Sequence, residues 1–211
     1  FENGFECGPG TGCSLPVTLN EGFEDISTLV GNGWILQNNS QPLGTTSWMQ
    51  GDTANLTAQA GSPTSYIAAN FDNTADVGTI SNWLVSPLLN FDDASSVSLW
   101  TRTSGTATFP DRLEIRACSG AACSNVGSGA NDVGDFSILL GTVNPNLQPG
   151  DDPTGVNGYP YNAWGSFAYD QADGLPTSGQ GRIAFRYFVT NSGPSGTNGS
   201  YIGIDSVTIQ S

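Results

Sequence analysis

The sequence predicts an all-β fold, a two-sheet antiparallel sandwich, and three observations carry that prediction. Short apolar runs of strand length recur along the 211 residues, and several alternate with period two, the pattern of a sheet with one buried face. Glycine (28) and proline (12) supply turns at high density. Charged residues make up 11% of the chain, against roughly 25% in an average domain, so long amphipathic helices lack a polar face. A chain of this length suits one domain and buries about 70% of its unfolded surface.

Val17 to Phe23 alternates until Gly22 interrupts it. Tyr66 to Phe71 and Ile80 to Ser86 are short apolar runs closed by turn residues. In Ser96 to Arg102, Val97 and Leu99 share a face; in Arg112 to Ala117, Leu113 and Ile115 do the same. Phe136 to Val143, Ala163 to Tyr169, Arg182 to Thr190 and Tyr201 to Ile209 follow. About ten such strands between Gly, Pro, Asn and Ser turns form the pattern of a sandwich. Residues 38–65 and 144–162 read as long loops, either functional or simply solvated. Residues 1–16 read as an N-terminal arm, and residues 17–211 as one domain.

Composition excludes whole classes of function. The chain carries 19 acidic and 5 basic residues, for a net charge of −14. The basic residues are Arg102, Arg112, Arg116, Arg182 and Arg186; there is no lysine or histidine. Nucleic acid is therefore a poor partner, because that affinity comes largely from basic groups releasing phosphate counterions. An anionic membrane surface is disfavoured for the same reason, whereas divalent cations would relieve the self-repulsion. Ser–His–Asp and Cys–His catalysis, a lysine Schiff base and a histidine zinc site are all ruled out. Carboxylates, tyrosines and the four cysteines remain as acid–base candidates, and a carboxylate pair of glycosidase type is the most natural enzyme chemistry among them. The chain reads as non-catalytic, with that glycosidase as a remote alternative.

Cys7 and Cys13 bracket a five-residue Gly-rich spacer, and Cys118 and Cys123 bracket Ser-Gly-Ala-Ala. Local pairing is easy across such spacers, though four cysteines allow three connectivities. A four-thiolate zinc site is the rival, and its usual spacers fit only the second pair. Disulfides imply an oxidising compartment. No apolar run approaches the roughly 20 residues of a membrane span. A secreted or surface protein whose signal peptide is already removed is the consistent reading.

Asp205 stands between Ile204 and Val207 in the last strand. An inward carboxylate needs partners. A bound cation or an arginine would supply them, and calcium suits oxygen ligands. Otherwise Asp205 faces solvent or caps backbone amides.

The ordered set Glu21-Gly-Phe-Glu24, Gly33-Trp34, Trp48, Trp83 to Pro87, Leu113 to Arg116, Val133 to Phe136, Gly181 to Tyr187 and Tyr201 to Val207 resembles the choice-of-anchor J, or cleaved-adhesin, domains. The resemblance spans about residues 17–209, and MAM domains share a similar Phe-Glu and terminal Ile-Asp pattern. It implies a jelly-roll sandwich of the galactose-binding-like kind, in an exported, surface-attached or secreted bacterial protein. It also implies a structural calcium at Glu24 and Asp205, with Asn70 and Asp72. Many relatives carry a second aspartate where this chain has Ser206.

Trp34, Trp83 and Trp100 sit among apolar neighbours and read as core; Tyr159, Tyr161 and Trp164 flank a loop and read as a candidate glycan platform. Phe1 and Phe5 lie on the Gly-rich arm, and Leu15, Val17 and Leu19 alternate across Pro16. That is the pattern of an edge strand, or of a strand offered to a neighbour. Docking on its own sandwich and insertion into the next subunit, giving a head-to-tail filament, are both open. The expected function is a non-catalytic exported structural or adhesion protein, calcium-stabilised and self-assembling through its arm. A carbohydrate-binding module is the alternative.

Overall fold

A computed structural model describes residues 18–104 and 108–211. Its strands are β1 (Thr18–Glu21), β2 (Ile35–Asn38), β3 (Gln41–Leu43), β4 (Met49–Gln50), β5 (Ile67–Asn70), β6 (Thr74–Val85), β7 (Leu89–Phe91), β8 (Ser96–Thr103), β9 (Leu113–Ser119), β10 (Ile138–Val143), β11 (Gly165–Tyr169), β12 (Gly179–Ser192) and β13 (Tyr201–Gln210). The only helical turns among the described residues are three short 3-10 turns, at Ile26–Thr28, Phe71–Asn73 and Gln171–Asp173.

The first sheet runs β11-β8-β13-β5-β4 with β1 beside β13; the second runs β10-β9-β12-β6-β2 with β3 on β6 and β7 on β12. Every strand pairing in both sheets is antiparallel. The chain crosses repeatedly from one sheet to the other, which makes the sandwich a jelly roll.

Between the sheets, Val97, Leu99, Ile202 and Ile204 of the first pack on Leu113, Ile115, Phe185 and Val189 of the second. Each such side chain contributes roughly 1.5–3 kcal/mol on burial. Ile204 and Val207 both face this core although they are three residues apart, a spacing that normally puts side chains on opposite faces. A bulge between Asp205 and Thr208, with Ser206 at φ +49°, resets the alternation and turns Asp205 outward.

A patch of each outer face is covered as well. Tyr66, Ala68 and Tyr201 on the first sheet lie under Leu56 and beside Trp164. Trp83, Val85 and Ala184 on the second lie under Cys123, Val126 and Phe136. Residues 80–85 are consequently buried without alternation. Cys118 and Cys123 form a disulfide with Cα atoms 5.8 Å apart, so the four-thiolate zinc alternative falls. The small loop this bond closes contributes about 2 kcal/mol in the chain-entropy model.

Several expectations change. The stretch 38–65 holds β3 and β4 rather than one long loop, and Phe136 belongs to the outer cover rather than to β10. Trp83 is buried outside the inter-sheet core, and Trp100 is half-buried on an outer face opposite Asp205. Leu19, for which docking in its own sandwich is one of two alternatives, pairs with Ile209 and packs on that core, with β1 beside β13 in the first sheet. Phe1, Phe5, Cys7, Cys13, Leu15 and Val17 lie outside the described residues.

Candidate functional site

The residues expected to hold calcium fall at two separate places. Asn70 pairs with Tyr201, whereas Asp205 lies four positions further along the same strand, about 13 Å away at strand rise. Asn70 Oδ1 accepts from the Thr46 hydroxyl at 2.6 Å and from the Asp72 amide at 3.2 Å, capping the 3-10 turn. Asp72 sits in that turn. The set Glu24, Asn70, Asp72 and Asp205 therefore does not fit one ion.

Asp205, fully buried, accepts from the amides of Gln59 (2.7 Å), Ala60 (3.2 Å) and Ser206 (2.6 Å). Asp205 thus caps backbone amides, one of the alternatives the sequence leaves open. Burial still pushes its carboxyl above the usual range, against the pull of those amides. Glu24 adjoins the same turn: a Cβ on Gly61 would lie 3.8 Å from its Oε1. Glu21 is half-buried beside it, with its carboxyl raised by burial, lowered by the Phe23 amide and raised again by Glu24. Among the described residues no three His, Cys, Asp or Glu side chains converge as a metal-binding group.

The aromatic platform is dispersed too. Tyr159 is buried in the inter-sheet core, its hydroxyl 2.6 Å from Thr101 Oγ1. Burial pushes that phenol well above its usual value. Trp164 packs edge-on to Tyr66 and donates to the Thr57 carbonyl at 3.0 Å, so it fastens a loop. Tyr161 is half-buried, its amide on Asp151 and its carbonyl on Arg102 Nε.

The carboxylates are engaged in structure. Glu114 pairs with Arg116 at 2.7 Å and Arg186 at 3.0 Å. Burial raises its pKa, but hydrogen bonding from Arg116 and the charge of Arg186 outweigh that and hold it below the usual range. Asp111, fully buried, accepts from the hydroxyls of Thr103 and Tyr187, both at 2.5 Å, and from the Ser200 amide at 2.8 Å. Its carboxyl is raised by burial. Asp25, Asp132, Asp152 and Asp170 accept from amides of their own turns, and Asp135 accepts from the amides of Ser124 and Asn125.

One end of the sandwich carries an open groove that no single stretch of sequence announced. Phe71, Phe109, Gly193, Pro194, Gly199 and Ser200 line its centre. Through Phe71 and Ser200 it continues to Met49, Asp52, Asn55, Asn70 and Tyr201. Through Pro194 it continues to Gly44, Thr45, Asp72 and Asp76. Phe71 is 37% and Phe109 50% exposed, large apolar surfaces left to solvent. The only signal in the sequence was the turn-rich run 191–200, which marks a loop but not its neighbours.

No protein-family model matches the chain, nor does any curated protein sequence at a significant level. Solved structures do. The K1 cleaved adhesin domain of Lys-gingipain from Porphyromonas gingivalis W83 matches with TM-score 0.56 and 19% identity over 92% of this chain and 97% of that one. The K2 cleaved adhesin domain of Lys-gingipain matches with 0.55 and 17% over 92% and 99%. A xylan-binding module, CBM15, is a more distant likeness at 0.42 and 12% over 92% and 96%. The chain has the jelly-roll fold of the cleaved adhesin domains. Among the described residues no helix is long and apolar enough to cross a membrane.

Proposed function

We propose that this chain is a non-catalytic extracellular binding domain, working in surface adhesion, whose ligand contacts lie at the grooved end of the sandwich. The groove carries the reading: at this end of the sandwich two large aromatic side chains, Phe71 and Phe109, line one cavity and are left to solvent. The Cys118–Cys123 disulfide supports an oxidising, extracellular setting. The fold shared with two adhesin domains supports adhesion. Against a glycosidase, the buried carboxylates are all occupied in structural pairs or amide caps.

Calcium enters the proposal only at the corner where Glu24 and Asp205 adjoin the turn at 59–61, as a brace on the fold. Assembly through residues 1–16 rests on the sequence pattern of Phe1, Phe5, Leu15 and Val17.

The test is a paired assay of the purified protein. It is offered immobilised extracellular proteins and polysaccharides, and separately chromogenic glycosides, each with calcium and with chelator. Saturable retention without product release is expected. Hydrolysis that a carboxylate-to-amide substitution abolishes overturns the non-catalytic reading. A melting temperature unmoved by chelator removes calcium from it.

A further inference from the structure

We infer that the end groove binds a chain of neutral sugars, with Phe71 and Phe109 as stacking platforms. The inference rests on the binding reading above and deepens it by naming the site and the ligand class. Three properties of the groove carry it.

The first is its surface. Two exposed aromatic rings share the groove with Asp52, Asn55, Asp72 and Asp76. Flat apolar rings suit the C–H faces of pyranose rings, and carboxylates and amides accept from sugar hydroxyls. No arginine lines the groove; the five are engaged elsewhere, with Arg102 on Tyr161, Arg112 on Phe188, Arg116 on Glu114, Arg182 on Ser86 and Arg186 on Glu114. An anionic ligand would meet acids and no counter-charge, so the complementary ligand is neutral and rich in hydroxyl donors.

The second is its length. Phe71 and Ser200 belong to both the central and one flanking cavity, and Pro194 to the centre and the other flank. Three cavities that adjoin through shared wall residues suit an extended chain better than a single sugar.

The third is its rigidity. Three of its lining residues, Gly193, Gly196 and Gly199, carry no side chain, and the backbone there leaves no room for one. Gly193 has φ +102°, and a Cβ on Gly199 would come within 2.2 Å of Ser192 Oγ. Phe71 is tied by its amide to the Ser200 carbonyl at 2.9 Å, and Gly199 to the Pro110 carbonyl at 2.9 Å. Asp111, next after Pro110, holds the Ser200 amide from inside the core. The backbone at Phe71 and along 199–200 is thus fixed before a ligand arrives, which limits the ordering cost of binding.

The experiment is native affinity electrophoresis in gels containing a neutral glucan, xylan, mannan or galactan, or the polyanion alginate. Wild type, Phe71→Ala, Phe109→Ala and Trp164→Ala are run side by side, with melting curves to confirm folding. Retardation by at least one neutral polysaccharide and not by alginate is expected. Phe109→Ala and Phe71→Ala should each weaken it about tenfold, as loss of a stacked ring does, while folded Trp164→Ala should not. Retardation that survives both phenylalanine variants places the glycan elsewhere and overturns the groove assignment, leaving the binding domain intact. Retention on immobilised protein alone, lost in Phe109→Ala, assigns the groove to a peptide and overturns the sugar. Binding to neither polysaccharide nor protein overturns the binding reading as well.

Discussion

Each outer face of the sandwich is covered in part by a loop, residues 51–65 on the first sheet and 119–137 on the second, and the two covers are fastened by different chemistry. The first is held by acceptors and hydroxyls. Asp205 takes the amides of Gln59 and Ala60, and the Tyr66 hydroxyl donates to the Asp52 carbonyl, accepts from the Asp52 amide and lies 3.1 Å from the Leu56 carbonyl. The second is held by charge and a covalent bond. Arg186, 1% exposed, reaches Glu114, Ser81 and the Ala130 carbonyl, and its guanidinium lies 4.8 Å over Trp83 and 3.7 Å over Phe188. The Cys118–Cys123 disulfide closes the start of that cover. In a chain with 5 basic residues the second cover uses arginine where the first uses backbone amides as the positive partner. A buried carboxylate therefore does not by itself signal a metal; amides from a neighbouring turn can face it, although at Asp205 they do not fully offset its burial.

The largest test of that contrast is Arg186→Met. It removes the bonds to Ser81 and Ala130 and leaves Glu114 with Arg116 alone. A loss of about 3 kcal/mol is expected in urea unfolding, and adding Glu114→Gln should recover part of it. Equal stability of the single variant would mean the second cover is fastened by its apolar contacts and disulfide instead.

Asp205→Ala is expected to cost less, about 2 kcal/mol, because it strands buried amides without leaving an unpaired charge. Its loss should appear as faster hydrogen exchange at Gln59 and Ala60, with the second cover unchanged. Exchange that quickens in both covers together would make them one cooperative unit.

The smallest effect is in pH. Glu114 titrates below the usual carboxylate range, so its contribution is present at neutral pH and is lost as pH falls through its folded value. Asp205 titrates above that range, so its charged form costs stability at neutral pH, a cost relieved as pH falls through its folded value toward about 4. Hydrogen exchange on acidification should therefore preserve protection at 59–60 while it declines around Ala130. A decline at both would remove the opposition.

Much of the architecture was legible in the residues. Alternation in Ser96 to Arg102 and Arg112 to Ala117 placed Val97, Leu99, Leu113 and Ile115 on the inner faces they occupy. The short spacer between Cys118 and Cys123 made their pairing easy. The candidate sites were legible less well, each for a physical reason. Asn70 and Asp205 both follow apolar runs, but the β5–β13 register sets them at opposite ends of a pairing. Tyr159 stands in a polar, turn-rich stretch, yet the crossing of sheets brings Thr101 to its hydroxyl and closes the core over it. Trp83 shares its strand with Leu84, and nothing local says which of the two meets the other sheet.

The sequence by itself determined the class of fold and the excluded chemistry, because both depend on composition and local spacing. Turn density and period two make sandwich strands, and a chain without histidine or lysine cannot run catalysis that needs them. Only the tertiary structure decided which carboxylates are satisfied and where the open surface lies. The groove draws on residues 44–55, 70–76, 109 and 193–201. Those segments meet because strand order and register bring their ends together, and neither is written in any one segment.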